Sequence, residues 1–354
     1  MTRVAVDARR LQDHPLTGVG RWIANLLPHL ATDFQIVLLT DKRRPATGLG
    51  DYEVARLPVP GRLPEPFWLQ ASAARWLRGF KGVFHGTYNA VPFAYRGPSI
   101  VSMYDLSWEH HPEDFSVPRR ASLLTQARWS ARHARAVVTV SEYTRRSLVE
   151  TYGLPPERVL LAPASIDPIF SPDRIGDLPP LLERLGIDGR YVVALGGAKR
   201  RGLEVAVQAW QRLPPGNERP KLVVVGAEVP PPLAGIVHAG RLSDDEWPAV
   251  LAGAEAFCYP TRFEGYGMPA LEAAASGVPV ICARIGSLPE VLGDAAEWCT
   301  SPSVAEISQA LGHVLGDDAR RDSLRRAGLA RAAAAPTWAH SAMVLADAYR
   351  MADQ

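Results

Sequence analysis

The sequence predicts an α/β protein of two domains, each built on a mainly parallel sheet. Three observations carry this. The chain has 354 residues, more than one ordinary core serves. Short β-branched runs alternate with segments of helical periodicity, the pattern of a parallel sheet covered by helices. The alternation pauses at a stretch rich in proline and polar residues, 168–180, and then starts again.

In the first half the buried-strand candidates are RVAVDA (3–8), FQIVLLT (34–40), GVFHG (82–86), SIVSMYD (99–105) and AVVTVS (136–141). Between them VGRWIANLLPHLA, PFWLQASAARWLRGF and RRASLLTQARWSARHA space their apolar residues as helices do. The second half repeats the pattern with strands at 191–197, 221–227, 235–240, 256–260, 278–283 and 296–300, and with LEVAVQAWQRL and DEWPAVLAGA as helices. The last segment, TWAHSAMVLADAYRMA, reads as an amphipathic helix with Trp338, Met343 and Leu345 available for burial. The expected organisation is a first domain at 1–170, a second at 171–336 and a terminal helix at 337–354, with two similar domains facing each other across a cleft. Ligands in such sheets sit at the carboxyl ends of the strands.

Composition narrows the class. Hydrophobic content of 47% and charged content of 21% suit a folded enzyme-sized protein. Residues 1–170 carry 21 Lys and Arg against 15 Asp and Glu, and the remainder 18 against 22. The basic front half suggests an anionic partner or surface, but at a density below that of a nucleic-acid binder. Cys258, Cys282 and Cys299 show no CxxC spacing and are expected as reduced thiols of a cytoplasmic protein. The opening MTRVAVDARR leads straight into a strand pattern, so no leader is expected, and no window approaches 18 apolar residues.

The most informative stretch is TRFEGYGMPALEAAASGVPV, residues 261–280. A strand ends before it, Pro269 suits the first turn of a helix, and Gly277 closes that helix. Backbone amides of Gly265, Tyr266, Gly267 and Met268 are therefore expected to converge at a helix N-terminus, where dipole and free N–H groups favour an anion. Glu272 falls in the first turns, placed for hydroxyls beside a bound phosphate, and a carboxylate accepts two hydroxyl hydrogen bonds, as a ribose diol offers. Glu264, at the strand end, is placed for the hydroxyls of a sugar. The competing reading is a capping loop whose acids merely suit the dipole.

FEGYGMPALEAAASGVPVICARIGSLPEVLGDAA strongly resembles the signature of the family 4 retaining glycosyltransferases, and its Glu-x7-Glu motif falls on Glu264 and Glu272. The resemblance extends through DARRLQDHPLTGVGRW, TVSEYTRRSLVETYGLPPERV, LSDDEWPAVLAGA and the terminal PTW helix. It implies a GT-B fold of two facing Rossmann-like domains, an acceptor-binding first and a nucleotide-sugar-binding second, with the last helix crossing back to the first. It implies that Glu272 binds the donor ribose and Glu264 the transferred sugar. In LGGAKRRGLEVAVQAW, where Gly197 allows close backbone approach, Arg200 and Arg201 resemble the family's Arg–Lys pair, which neutralises the departing diphosphate. Arginine for lysine keeps the charge and changes a point into a fork. Gly18 and Gly20 resemble the loop that lets donor and acceptor meet, with a simple turn as the alternative.

The pattern departs at VSMYDLSWEHHPEDF, where Tyr104-Asp105 stands for the family's His-Asp. A phenol of ordinary pKa about 10 is a poor proton shuttle near neutrality. Either His85 supplies an imidazole or none is needed; His110 and His111 are further candidates. PASIDP also replaces the family's Pro-Asn-Gly-Val-Asp. Three hypotheses remain: an active retaining glycosyltransferase; related chemistry, such as a sugar-nucleotide epimerase or a phosphorylase; and a non-catalytic or scaffolding homologue. A phosphorylase needs a pyridoxal lysine, for which neither Lys199 nor Lys221 has a persuasive context. An oxidoreductase is excluded, since no GxGxxG opens the first helix with an acid some twenty residues on.

The resemblance implies front-face substitution, with no side-chain nucleophile, no cofactor and no metal; the sequence has no Asp-x-Asp motif. The donor is expected to be a GDP- or UDP-hexose. Relatives with the DAR…TGVGRW opening often handle mannose in surface polysaccharide assembly, which favours GDP-mannose. The acceptor is a hydroxyl. PFWLQASAARWLRGFKG (66–82) interleaves Trp68, Trp76 and Phe80 with Arg75, Arg78 and Lys81, and RRASLLTQARWSARHARA (119–136) carries five arginines and no acid. Both suit peripheral contact with an anionic inner membrane face bearing a lipid-linked acceptor. Helices packed on the sheet with solvated basic faces suit them equally.

Overall fold

The computed structural model describes all residues except 14, 42–51, 59–66, 217–218 and 228–232. Pro66, at the head of the first aromatic and basic segment, lies outside the described residues. The chain divides into two compact units, Met1–Ser165 with Pro336–Gln354, and Ile166–Ala335.

Among the described residues the first unit holds seven parallel strands: β1 (Thr2–Asp7), β2 (Phe34–Thr40), β3 (Glu53–Arg56), β4 (Val83–Gly86), β5 (Ser99–Ser102), β6 (Ala136–Thr139) and β7 (Val159–Leu161). Their order is β3-β2-β1-β4-β5-β6-β7. The described residues of the second unit hold six: β8 (Tyr191–Leu195), β9 (Lys221–Val225), β10 (Ile236–Gly240), β11 (Ala256–Tyr259), β12 (Val280–Ala283) and β13 (Ala296–Cys299), in the order β10-β9-β8-β11-β12-β13. Each sheet thus grows outward in both directions from its first strand, as in a Rossmann fold, and reverses at β1/β4 and at β8/β11.

Every predicted strand forms. The central ones read as unbroken apolar runs because helices cover both faces. Two strands escaped the sequence reading, and both are edges. β3 is the short, mostly exposed EVAR, and β7 has three residues. The charges and exposure of β3 discourage pairing with another chain and erase its apolar signal, whereas β7, VLL, is apolar but too short to stand out.

The helix Gly18–Leu30 starts where the Thr17 hydroxyl accepts from the Gly20 amide at 3.4 Å, and it buries Trp22, Ile23, Leu26, Leu27 and Leu30 at helical spacing. The segment expected as one helix after Pro66 is a π turn, Trp68–Ala73, running into Ala74–Leu77. In the second unit, part of the proline-rich boundary is itself a helix, Leu178–Leu185. Its prolines occupy the first turn, where no donor is required, and Gly186 ends it in the left-handed conformation.

The terminal helix, Trp338–Asp353, packs on the first helix and on β4 to β7. Leu345 is buried as expected, but Met343 is not: it is 62% exposed. The buried stripe is instead Ser341, Ala342, Leu345, Ala346, Ala348, Tyr349 and Ala352, and Met343 lies two residues, about 200°, from its centre line. Small residues let the helix approach closely, and the Ser341 hydroxyl donates to the Pro163 carbonyl at 2.6 Å.

Candidate active site

β8 and β11 are neighbours at the point where the second sheet reverses. Two loops leave their carboxyl ends, Gly196–Gly202 and Pro260–Gly267, and they are locked together. Gly202 has φ +70°, and a Cβ there would lie 2.2 Å from the Pro260 carbonyl oxygen, so only glycine permits this approach. The Arg200 carbonyl accepts from the Arg262 amide at 2.7 Å and from the buried Thr261 hydroxyl at 3.1 Å. The Lys199-Arg200-Arg201 turn is therefore held against the loop that carries Glu264.

Arg201 folds back so that its guanidinium donates to the Gly196 carbonyl at 3.2 Å, beside Gly197. Both arginines act on the phenol of Tyr259. Burial raises its pKa well above the ordinary value, with Glu264 adding to the rise and Arg201 and Arg200 opposing it.

Glu264 is half-buried. Its carboxylate accepts from the Tyr259 hydroxyl at 2.5 Å, and its carbonyl accepts from the Ser287 amide and hydroxyl, each at 3.1 Å. Gly267 then caps the helix Met268–Ala275 at φ +96°, where a Cβ would lie 2.5 Å from the Leu288 side chain, and Pro269 sits in the first turn. Gly265 and Gly267 are buried, while Tyr266 and Met268 are half-buried. Glu272, in the second turn, is only 4% exposed and accepts from the Trp247 indole N–H at 2.8 Å. The structure thus brings Gly197, Arg200, Arg201, Glu264 to Met268 and Glu272 to one end of one sheet. Two cations, two carboxylates and a helix N-terminus there can hold a diphosphate and the hydroxyls on either side of it.

The remaining candidates lie in the first unit, at the carboxyl ends of β1, β4 and β5. Gly18 opens the first helix, exposed. Gly20 is buried, with a Cβ position only 2.7 Å from the Arg10 carbonyl oxygen, so its smallness serves packing. Asp105 turns its carboxylate to the Ser107 amide at 2.9 Å. Tyr104 meets Trp22 edge-on at 5.6 Å; its hydroxyl is enclosed near Ser102, and burial pushes its pKa well above the usual value.

His85 is a core group rather than a stand-in imidazole. It is 1% exposed, its Nδ1 is 2.8 Å from the Tyr349 hydroxyl and its Nε2 is 2.7 Å from that of Ser102. Burial pulls its pKa down to about 3 against the opposing pull of Asp7, so the ring is neutral and both nitrogens are engaged. His110 lies 2.7 Å from the Ser147 hydroxyl and His111 is 3.2 Å from Glu113.

Several residues at this sheet end were not singled out from the sequence. The carboxylate of buried Asp7 accepts from Nε and Nη2 of Arg9, at 2.9 and 2.7 Å; Arg10 lies over the Tyr88 ring at 4.1 Å; and the Thr87 hydroxyl donates to the Asp7 carbonyl at 2.6 Å. Their signal was positional, since DARR and HGTY each run off the end of a strand.

In the aromatic and basic segments most rings are buried or half-buried, while Phe67 is 50% exposed. Trp68 is buried with its N–H on the Leu57 carbonyl at 2.8 Å, Trp76 stacks on Phe80 at 4.9 Å, and Arg128 forks onto Glu109 at 2.9 and 2.8 Å. These contacts fit helices packed on the sheet with solvated basic faces. No helix of the described residues is long and apolar enough to cross a membrane. Lys221 pairs with Asp188, and the three cysteines are free and buried.

Two parallel-sheet units of Rossmann order, one with its charged loops at the reversal point, are the architecture of the GT-B fold. The chain belongs to the group 1, family 4 glycosyltransferases. The family described as "Glycosyl transferases group 1" matches residues 188–331, and "Glycosyltransferase Family 4" matches residues 16–170. The O-antigen chain mannosyltransferase B of Escherichia coli is 26% identical over 359 residues, covering 90% of this chain and 92% of that protein. The MMP alpha-(1->4)-mannosyltransferase of Mycolicibacterium hassiacum is 33% identical over 208 residues, covering 56% of this chain and 49% of that one. Among solved structures, sucrose-phosphate synthase from Thermosynechococcus elongatus shares the fold with a TM-score of 0.78 at 16% identity, covering 99% of this chain and 98% of that one.

Proposed function

We propose that this chain is a retaining hexosyltransferase that moves mannose from GDP-mannose to a hydroxyl acceptor in the assembly of a surface polysaccharide. The observation that carries the donor site is the locking of the arginine turn onto the Glu264 loop where the second sheet reverses. The sugar and the pathway rest on the two mannosyltransferase relatives, one of which builds O-antigen chains.

In this reading Arg200 and Arg201 face the diphosphate, Glu272 takes the ribose hydroxyls and Glu264 the hydroxyls of the transferred sugar. The acceptor oxygen bonds to the anomeric carbon on the face that the phosphate leaves. The carbon–oxygen bond to phosphate breaks with its electron pair, and the acceptor proton passes to the departing phosphate oxygen. The arginines stabilise the charge that grows there, and no side-chain base is required. The sealed ring of His85 and the high pKa of Tyr104 fit that economy.

A thermal-shift panel of UDP, GDP, ADP and their sugar conjugates tests the donor site. Ligand at a hundred times its dissociation constant adds about 2.7 kcal/mol of stability. GDP and GDP-mannose are expected to raise Tm most; no shift with any nucleotide would sink the reading and favour a scaffolding homologue. Product analysis by NMR, with EDTA present throughout, tests the chemistry. An α-linked product from the α-donor, formed at an undiminished rate, is expected. Inversion, loss of rate in EDTA, or conversion of the donor without an acceptor would each overturn a part of the mechanism, the last in favour of an epimerase.

A further inference from the structure

Glu264 and Glu272 share a support that their spacing in sequence does not announce. Beneath them runs a row of three buried aromatic rings: Trp247 at 7% exposure, Phe257 at 0% and Tyr259 at 1%. Phe257 and Tyr259 stand two apart on β11, hence on one face of the sheet, and stack at 5.3 Å with 21° between their planes. Trp247, from the helix Glu246–Ala252, meets Phe257 edge-on at 6.2 Å and 67°. The row has polar atoms only at its ends. The indole N–H donates to Glu272 at 2.8 Å and the phenol O–H donates to Glu264 at 2.5 Å. A ring with one polar tip suits this task, since its body fills the core while the tip meets a charge.

We propose that Trp247 and Tyr259 are positioning residues, each aiming one glutamate at the donor, with Phe257 between them setting the separation of the two carboxylates. Trp247 acts on the ribose through Glu272, and Tyr259 acts on the transferred sugar through Glu264. The proposal rests on the donor-site reading above. Hydrogen bonds to ionised groups are the strong ones, and each donor also fixes the rotamer of the acid it serves. Losing one takes a hydrogen-bond donor from the carboxylate and loosens the aim of its side chain.

The test uses Trp247→Phe and Tyr259→Phe, which keep a ring and remove the donor. Calorimetry measures affinity for GDP and for 2′,3′-dideoxy-GDP, with the uridine pair in parallel; steady-state assays measure transfer from GDP-mannose. Trp247→Phe is expected to weaken GDP about tenfold and to leave dideoxy-GDP unchanged. Tyr259→Phe should leave GDP unchanged and lower kcat/KM for the sugar donor about tenfold. A general packing defect predicts otherwise: equal losses for GDP and dideoxy-GDP, or a loss of GDP affinity in Tyr259→Phe, would overturn the proposal. If Trp247→Phe loses its near-ultraviolet dichroism, Tyr259→Phe decides alone by the same contrast between nucleotide and sugar donor. Wild type binding GDP and dideoxy-GDP equally well would instead refute the role of Glu272 itself, whatever the variants do.

Discussion

Arg201→Ala is expected to lower kcat by about 10²- to 10³-fold, the usual consequence of removing one group aimed at charge that develops in the transition state. The guanidinium is tied to the Gly196 carbonyl at 3.2 Å, so it is held in place before substrate arrives. Preorganisation of this kind is what separates a transition-state effect from simple attraction. Ground-state affinity for the nucleoside diphosphate should fall much less, because in the proposed site Arg200 and the helix behind Gly267 would still meet part of its negative charge. Arg201→Lys should recover part of the rate, since a lysine restores the charge but not the fork. Steady-state kinetics with a saturating donor decides it. A kcat within threefold of wild type would show that the leaving group is neutralised elsewhere.

The second large effect belongs to a residue with no side chain. Gly202→Ala places a methyl 2.2 Å from the Pro260 carbonyl oxygen at a backbone φ of +70°. Backbone cannot yield as a flexible side chain does, so the two loops must separate. A cost of about 1–3 kcal/mol is expected for the strained backbone and the lost packing, together with a loss of nucleotide binding at temperatures where the protein remains folded. Gly186→Ala is the control. It has nearly the same φ, +65°, but nothing within 4 Å of its Cβ position, so it carries the conformational penalty alone. That penalty is about 1–2 kcal/mol, and its nucleotide binding should be untouched. Equal loss of GDP binding in the two variants would show that the locked loops are not what forms the site.

Much of this protein could be read from the chain alone, and the parts that could share a physical trait. Interior strands such as VVAL and LVVV are apolar along both faces, so their pattern needs no context. The glycine and proline that bracket Met268–Ala275 mark local backbone requirements, which sequence displays directly. The loop with Glu264 and Glu272 was legible for the same reason, its spacing being a property of one strand, one turn and one helix.

What stayed hidden depends on residues far apart in the chain. Edge strands β3 and β7 pair with a neighbour on one side only: EVAR has no need of an apolar run and shows none, and VLL is too short a run to stand out as a strand. His85 looked like a candidate imidazole because the sequence cannot show that Tyr349, 264 residues later, seals one nitrogen while Ser102 seals the other. Met343 looked like core because hydrophobicity was counted without the phase of the helix, which the small residues facing the first unit determine. The aromatic row was invisible because Trp247 and Tyr259 belong to different elements, and only their packing turns two donors toward two acids. Sequence by itself determined the alternation, the breaks and the charged loop, which are local choices of backbone and polarity. Tertiary structure decided which buried polar groups meet, because a hydrogen bond of under 3 Å between distant residues exists only once the whole core has been packed around it.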